Sequence, residues 1–161
     1  MTVLIILVIL LPFGIGALVG APYVPILRRD SAALLKLAEL TSGQTIVDLG
    51  SGDGRFLRAA AKAGYRGIGY EINPVLVVIS KIVTWRYRKL VTIHLADFWG
   101  ITLPPAAVIY VFLIDRLMPK LDAKLAQEIQ QSTPVISYIF AIPGRQAEIT
   151  TRNAFRYRYG A

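Results

Sequence analysis

The sequence feature that most constrains the fold of this chain is a glycine-rich motif that directly follows an apolar run. Residues 46–55 read IVDLGSGDGR, and their glycines fall at alternate positions, Gly50, Gly52 and Gly54. Glycine adopts positive φ without strain and places no Cβ between the main chain and a ligand. The motif therefore predicts a strand, a tight loop and a helix, with a ligand bound on the loop amides and at the helix N-terminus.

Acidic residues distinguish this loop from the dinucleotide-binding loop that it resembles in outline. Dinucleotide-binding loops have the spacing G-x-G-x-x-G, whereas this loop has G-x-G-x-G, with Asp48 before it and Asp53 within it. Two carboxylates this close would serve a pyrophosphate poorly and a cationic cofactor that carries an amino acid well. The alternative is a glycine-rich turn that only connects a strand to a helix.

Two later apolar runs also end near acidic residues. Residues 67–72 predict a second strand that ends at Glu71, twenty-one residues beyond the first glycine of the motif. A carboxylate at that place can accept hydrogen bonds from both hydroxyls of a ribose; the alternative is a solvated glutamate at a strand end. Residues 90–95 predict a third strand, followed by Asp97 and Phe98. These two residues predict either a ligand contact or a polar turn beside a core aromatic.

The remaining patterns alternate between strand and helix. Further strands are predicted from about residue 44 and over 106–114 and 135–142, and helices over 33–40, 55–63, 74–86 and 117–130. Asp30 or Ser31 is expected to cap the first of these helices. This alternation predicts an α/β fold, Rossmann-like and doubly wound, with a mostly parallel sheet that binds its ligand at the carboxyl ends of the strands.

The C-terminal tail predicts an antiparallel hairpin. It covers residues 147–159, turns at Arg152 and Asn153, and then alternates aromatic residues with arginines. The preferred interpretation is a half-buried edge strand whose solvated arginines prevent pairing with another sheet. A basic, aromatic contact surface is the alternative.

The N-terminus predicts a membrane anchor. Residues 1–27 contain no charged side chain, and the apolar stretch 3–20, at about 1.5 Å per residue, is roughly 27 Å long, close to the thickness of a bilayer core. We expect a retained transmembrane anchor over 1–21, a linker and helix over 22–43, and the main domain over 44–161. Arg28 and Arg29 would place that domain on the inner face of the membrane. A cleaved signal peptide and a buried core helix are the alternatives.

The positive net charge suggests several classes of binding partner but does not select one of them. Eighteen Lys and Arg against ten Asp and Glu give a net charge of +8. This surplus suits an anionic membrane, a nucleic acid or an acidic protein. The chain has no cysteine and one histidine, His94, so it offers no disulfide framework and we expect no metal site.

Several motifs together resemble a known family. Besides the glycine motif, the chain has APYVP at 21–25, GYEINP at 69–74, DFW at 97–99 and MP at 118–119. The glycine motif resembles that of the class I, seven-stranded S-adenosylmethionine methyltransferases. The combination is similar to the membrane-anchored lysine methyltransferases that act on the ATP synthase c-subunit and the adenine nucleotide translocase, and to their prokaryotic relatives. The resemblance covers about residues 22–143.

The resemblance implies a cofactor, an acceptor and a set of site residues. The implied cofactor is S-adenosyl-L-methionine, and the implied acceptor is a lysine in a membrane-embedded or membrane-associated protein; nucleic acid is not expected. The implied cofactor-binding residues are Asp48, Leu49, Gly50, Ser51, Gly52, Asp53, Gly54, Glu71, Ile72, Asn73, Asp97 and Phe98. Asp48 would orient the loop or receive the cofactor's ammonium group, directly or through water, while Glu71 would bind the ribose and Asp97 the adenine.

The acceptor side is predicted from the fourth and fifth strands. Asp115 follows the fourth strand and would steer the incoming amine or take its proton, while Tyr110 and Tyr138 would line its path. Two other functions fit the sequence. One is methylation of a small hydrophobic acceptor, such as a quinone or a lipid precursor. The other is a non-catalytic, basic module that binds membranes or RNA.

Overall fold

The fold is built on a seven-stranded sheet, in a computed structural model that describes Ile26 and residues 28–160. The strands are β1 (Thr45–Leu49), β2 (Arg66–Glu71), β3 (Val91–Leu95), β4 (Val108–Val111), β5 (Thr133–Tyr138), β6 (Ile149–Thr150) and β7 (Ala154–Tyr159). Their order is β3-β2-β1-β4-β5-β7-β6. The first five strands are parallel, and β7 is antiparallel to both β5 and β6. The predicted mostly parallel sheet with a C-terminal hairpin is confirmed.

Helices cover both faces of the sheet, as a doubly wound fold requires. They are α1 (Arg28–Ala38), α2 (Arg55–Lys62), α3 (Pro74–Thr84) and α4 (Met118–Glu128), with short 3₁₀ turns at Trp85–Tyr87 and Asp115–Leu117. α1 and α2 pack through Leu34 and Phe56 on the face that contains Ile46, and α3 lies beside α2. α4 packs through Leu121 on the face that contains Val47. Adjacent residues of β1 thus belong to opposite layers of the core.

Helix α1 begins earlier than the sequence predicts. It starts at Arg28, so Asp30 and Ser31 lie in its first turn and do not cap it. The prediction of a cap was wrong because the Asp30 carboxylate has a tertiary partner. The Tyr138 hydroxyl, on β5, donates a hydrogen bond to Asp30 Oδ2 at 2.5 Å. Local sequence cannot reveal a partner 108 residues away.

Two strands are shorter than their apolar runs. β4 ends at Val111 and β5 at Tyr138, although the apolar sequence continues to residues 114 and 142. Two of the residues beyond them stay buried: Leu113 and Ile142 are in the same core cluster as α4, whereas Ile139 is exposed. An apolar run therefore overestimates strand length where the following loop also folds into the core.

Strand β7 is not the exposed edge that the sequence predicts. It pairs with β5 from Ala154 to Tyr159, and β6 pairs with its other side. Arg156 is 6% exposed and is not solvated: its guanidinium bonds Glu39 on one side and lies 3.6 Å from Glu148 on the other. Tyr157 is in the core as well, so the alternative of an aromatic contact surface does not fit either.

The predicted anchor, 1–21, lies outside the described residues, as does the linker up to residue 25. Within the part of the chain that the structure describes, no helix is both long enough and apolar enough to cross a bilayer. The division of the chain at residues 21 and 43 stays a prediction.

Candidate functional site

The topology places one crevice at the carboxyl edge of the sheet. β1 has β2 on one side and β4 on the other, so the chain reverses its direction of sheet growth at β1. In open α/β sheets, ligands bind outside the strand ends at such a reversal. Asp48 lies one residue before the end of β1, and in register its neighbours are Gly69 and Tyr110.

The glycine loop takes the backbone conformation that its sequence predicts. Gly50, Gly52 and Gly54 have φ values of 85°, 55° and 75°. A Cβ added to Gly50 would meet no atom within 4 Å, whereas one added to Gly54 would lie 2.8 Å from the Cβ of Ser80. The first glycine therefore borders open space that a ligand can fill, and the third lets α2 approach α3.

The Glu71 carboxylate connects the glycine loop to the end of β2 by hydrogen bonds. Its Oε2 accepts a hydrogen bond from the amide of Gly52, and its Oε1 accepts one from the amide of Asn73, both at 2.8 Å. Each carboxylate oxygen can accept a second bond, so the group retains capacity for two ligand hydroxyls. Asn73 itself caps α3, its side chain accepting from the amide of Val75 at 2.9 Å, while Ile72 is 44% exposed beside it.

Asp48 makes the crevice a site for positive charge. Its side chain is 2% exposed, and burial raises the pKa of its carboxyl well above the ordinary value of 3.8, with further contributions from the negative charges of Glu71 and Asp53. A bound cation would offset all three effects, because it favours the ionised carboxylate. The site is thus electrostatically incomplete without a positively charged ligand.

Asp53 has a partner that the sequence analysis missed. The Arg55 side chain donates to it from Nε at 2.8 Å and from Nη2 at 2.7 Å, and the amide of Arg55 donates at 3.2 Å. Nη1 of the same arginine donates to the carbonyl of Ile26 at 3.3 Å. Arg55 therefore links Asp53 in the loop to the chain before α1. The spacing D-x-R was the available signal for this pair.

Two other predicted residues of the loop differ in their surroundings. The Leu49 side chain lies in the core, and the Ser51 hydroxyl has no hydrogen-bond partner among the described residues. The side chain of Leu49 is fully buried in the core on the α4 face, so only its backbone can contribute to a site. The Oγ of Ser51 is buried without a hydrogen-bond partner among the described residues, and it lies close to where Gly69 would carry a Cβ. It is a polar atom that can still accept or donate a bond.

The residues after β3 lie next to Glu71. The amide of Ala96 donates to the Glu71 carbonyl at 3.0 Å. Asp97 is exposed, and its Oδ1 accepts from the amide of Trp99 at 3.0 Å. Phe98 is 8% exposed and its ring packs 4.5 Å from that of Trp99. Asp97 is thus accessible at the rim, whereas the Phe98 ring is largely in the core.

Two tyrosines and an aspartate extend from Asp48 along the same face of the sheet. The Tyr110 hydroxyl is buried without a hydrogen-bond partner among the described residues. Burial, then the charge of Asp48, then Tyr138 and Asp30 raise the pKa of Tyr110. Burial and the hydrogen bond to Asp30 raise the pKa of Tyr138 to about 12. Both phenols are therefore protonated at neutral pH. Tyr138 already donates its proton to Asp30, whereas the Tyr110 hydroxyl can still donate or accept a hydrogen bond.

Sequence analysis named the tyrosines as site residues but named Asp30 only as a helix cap, because its contact with Tyr138 depends on the docking of α1. The Asp30 carboxylate and the Tyr138 hydroxyl lie at the wall of a groove between α1 and the β6–β7 hairpin, with a volume of about 180 Å³. The rest of the lining combines the apolar residues Ala33, Leu34, Leu37 and Ala154 with the polar residues Thr151, Arg152 and Asn153 of the hairpin turn, and most of its surface is apolar. The arrangement suits a long apolar side chain with a cationic end.

Asp115 occupies a more exposed position than the tyrosines. It lies four residues beyond the end of β4 and begins the 3₁₀ turn that leads into α4. Its side chain is exposed. The structure thus leaves it at the carboxyl end of the sheet without bringing it into the groove lining.

Comparisons with known proteins agree with this geometry. Residues 48–149 match a family described as the ANTKMT methyltransferase domain. The chain is 35% identical over 144 residues to the ATP synthase c-subunit lysine N-methyltransferase of Rattus norvegicus, covering 87% of this chain and 66% of that protein. It is 36% identical over 125 residues to the adenine nucleotide translocase lysine N-methyltransferase of Mus musculus, covering 76% and 54%. The chain therefore spans less than two thirds of either relative.

A solved structure is similar over nearly its whole length. It is an RNA methyltransferase from Salinibacter ruber in complex with S-adenosyl-L-homocysteine, with a TM-score of 0.81 and 28% sequence identity. The similarity covers 85% of this chain and 94% of that one. The bound molecule is the demethylated form of the cofactor that the glycine motif suggested.

Proposed function

This chain belongs to the ANTKMT methyltransferase domain family, its cofactor is S-adenosyl-L-methionine, and we propose that it methylates the side-chain amine of a lysine in a protein. The relatives named for the ATP synthase c-subunit and for the adenine nucleotide translocase support a protein lysine as acceptor. The observation that carries the proposal is the buried carboxyl of Asp48, held beside Glu71 at the open end of the glycine loop.

On the cofactor side, residues at the ends of β1, β2 and β3 bind different parts of the cofactor. The remaining lone pairs of Glu71 accept from the ribose hydroxyls, and Asp48 balances the ammonium group. Asp97 and Ile72, both accessible at the rim, contact the adenine. Gly50 leaves the space that the cofactor needs next to the main chain.

On the acceptor side, this chain must deliver a neutral amine. When bound, the cofactor would supply a methyl group on a sulfonium: the amine nitrogen would bond to the methyl carbon as the carbon–sulfur bond opposite it breaks, and the sulfur would leave as a neutral thioether. An apolar groove lowers the pKa of a lysine by desolvation, and the phenol oxygens of Tyr110 and Tyr138 orient the nitrogen by accepting hydrogen bonds from its N–H groups, which leaves its lone pair free. Asp115, exposed at the rim, steers the incoming ammonium and receives its proton before transfer. Alignment and exclusion of water supply most of the rate.

The acceptor protein is membrane-associated in this proposal. Two observations support it: the relatives described above are named for the ATP synthase c-subunit and the adenine nucleotide translocase, and residues 1–27 carry no charge. Residues 1–21 would anchor the chain, with the domain on the inner face of the membrane.

The decisive experiment follows the methyl group. The protein is incubated with S-adenosyl-L-methionine labelled in the methyl group and with membranes, and the label is then sought in protein, lipid and RNA. Label in protein, recovered as methyl-lysine by mass spectrometry, is expected. Label in the lipid fraction would instead support a small hydrophobic acceptor, and no label in any fraction would favour a non-catalytic module.

RNA is a second candidate acceptor. The Salinibacter ruber chain, described as an RNA methyltransferase, is 28% identical to this one, and a net charge of +8 suits a polyanion. If ribonuclease removes the label and protease does not, the methyl acceptor is RNA and not a protein lysine.

A further inference from the structure

The outer face of α3 is apolar where a surface helix is normally polar. Val78, Ile82 and Trp85 are 58%, 70% and 66% exposed, and their spacing of four and three residues places them on one side of the helix and of the turn that continues it. Ile79, 37% exposed, lies beside them. The buried residues of α3, such as Val77, form the opposite side. The helix thus has two apolar faces, and only one is covered by described residues.

Basic residues surround this apolar stripe. Lys81, Arg86, Arg88 and Lys89 are all exposed, and the guanidinium of Arg88 lies 4.9 Å from the centre of the Trp85 ring. The sequence from residue 72 to residue 96 contains no Asp or Glu. No acidic residue of this segment neutralises the four cations, so the charged side chains that the segment places around the apolar stripe are all positive.

We propose that this surface, residues 78–89, binds the headgroup region of an anionic lipid bilayer. Apolar side chains enter the boundary between headgroups and acyl chains, tryptophan favours that boundary, and lysine and arginine bind the lipid phosphates. A second copy of the chain is a poor occupant, because an isologous contact would bring two sets of four cations together.

The stripe runs from the rim of the crevice toward the opposite edge of the sheet. α3 begins at Pro74, three residues after Glu71, whereas Trp85 precedes the start of β3, which lies beside the start of β2. Binding in this way would hold the side of α3 against the bilayer, with the rim at one end of that helix. The inference does not depend on the acceptor's identity or on the N-terminal segment.

The chain contains no cysteine, so a fluorophore attached to a single introduced cysteine reports on that position alone. We suggest Ile82→Cys, with Ile149→Cys on β6 as the matched control, because Ile149 is also an exposed aliphatic residue, at 37%. Each full-length variant carries a polarity-sensitive fluorophore and is mixed with phosphatidylglycerol or phosphatidylcholine vesicles. Comparing two positions on one chain separates this surface from any insertion of residues 3–20, which would bring both labels to the membrane together.

A blue shift at position 82 that is at least several-fold larger than at position 149, with quenching by brominated acyl chains, is expected for phosphatidylglycerol. The variant with Lys81, Arg86, Arg88 and Lys89 changed to Gln should lose the preference for phosphatidylglycerol while its circular dichroism is unchanged. Equal shifts at both positions would overturn the proposal. A shift without vesicles that grows with protein concentration would overturn it in favour of self-association.

Discussion

At the scale of single residues, the buried carboxyl of Asp48 lowers the stability of the cofactor-free fold and favours the binding of a cationic ligand. Its carboxyl has a raised pKa in the folded chain, whereas in the unfolded chain it has the ordinary one. As the pH rises from about 3.8 through the raised pKa, the unfolded state releases its proton first, and the folded state loses relative stability. Above the raised pKa this loss is complete and constant. A bound cation recovers it.

We predict that Asp48→Asn stabilises the cofactor-free protein at pH 7 and weakens cofactor binding. The melting temperature should rise by about 2–4 °C for each kcal/mol recovered, and the affinity for S-adenosyl-L-methionine should fall by at least about tenfold, or ~1.4 kcal/mol. Differential scanning fluorimetry and titration calorimetry measure the two effects.

The control for Asp48→Asn is Asp97→Asn. Asp97 is exposed, so its substitution should change the stability by less than about 0.5 kcal/mol. A melting temperature that falls equally in both variants between pH 5 and pH 7 would contradict the electrostatic account of Asp48.

The two tyrosines provide a matched pair at the same scale. Tyr110→Phe removes a buried hydroxyl without a described partner, so the stability should stay constant or rise by up to ~1 kcal/mol. Tyr138→Phe removes the hydrogen bond to Asp30 and should cost about 1–2 kcal/mol. Chemical denaturation measures both. If Tyr110→Phe is the more destabilising variant, its hydroxyl has a partner in solution.

At the scale of elements, the glycines of the loop serve two different purposes, space for a ligand and close packing of helices, which the sequence motif does not distinguish. Gly50 and Gly54 both have positive φ, but only Gly54 faces another helix, at Ser80 on α3. One glycine therefore serves the ligand and the other serves helix packing. The sequence motif does not distinguish them, because both positions need the same backbone conformation.

We predict that alanine substitutions divide these roles. Gly54→Ala should destabilise the fold by about 2–4 kcal/mol, because a strained φ and a contact at 2.8 Å add together. Gly50→Ala should cost only about 1–2 kcal/mol for the strained φ, yet reduce cofactor affinity at least as much as Gly54→Ala. Equal losses of stability would mean that Gly50 is also packed against the protein.

At the scale of the whole molecule, helix α1 is held by contacts with distant parts of the chain. Tyr138 binds Asp30, and Nη1 of Arg156 donates to the carbonyl of Leu37 at 3.4 Å and bonds Glu39. These contacts span more than 100 residues. The groove beside Asp30 is lined by α1 and the β6–β7 hairpin, so the proposed binding of an acceptor there would require α1 to be docked.

Arg156→Ala tests this dependence. Removing a buried guanidinium that bonds the end of α1 should cost about 2–4 kcal/mol and speed amide hydrogen exchange in α1 more than in β1 or β2. Arg158→Ala is the control, because Arg158 is more exposed and bonds Glu148; it should cost less than about 1 kcal/mol. Uniform acceleration across the sheet would show that Arg156 stabilises the fold without a specific role at α1.

What the sequence determined by itself was local: strand and helix alternation, the positive-φ glycines and the acids at the carboxyl ends of β1 and β2. These follow from periodicity and backbone chemistry, which act over a few residues. The tertiary structure decided what depends on distant partners: the burial of Arg156 on β7, the pairing of Asp30 with Tyr138, and the apolar residues of α3 that stay exposed. Burial and hydrogen-bond partners are properties of the packed chain, so residue types alone cannot assign them.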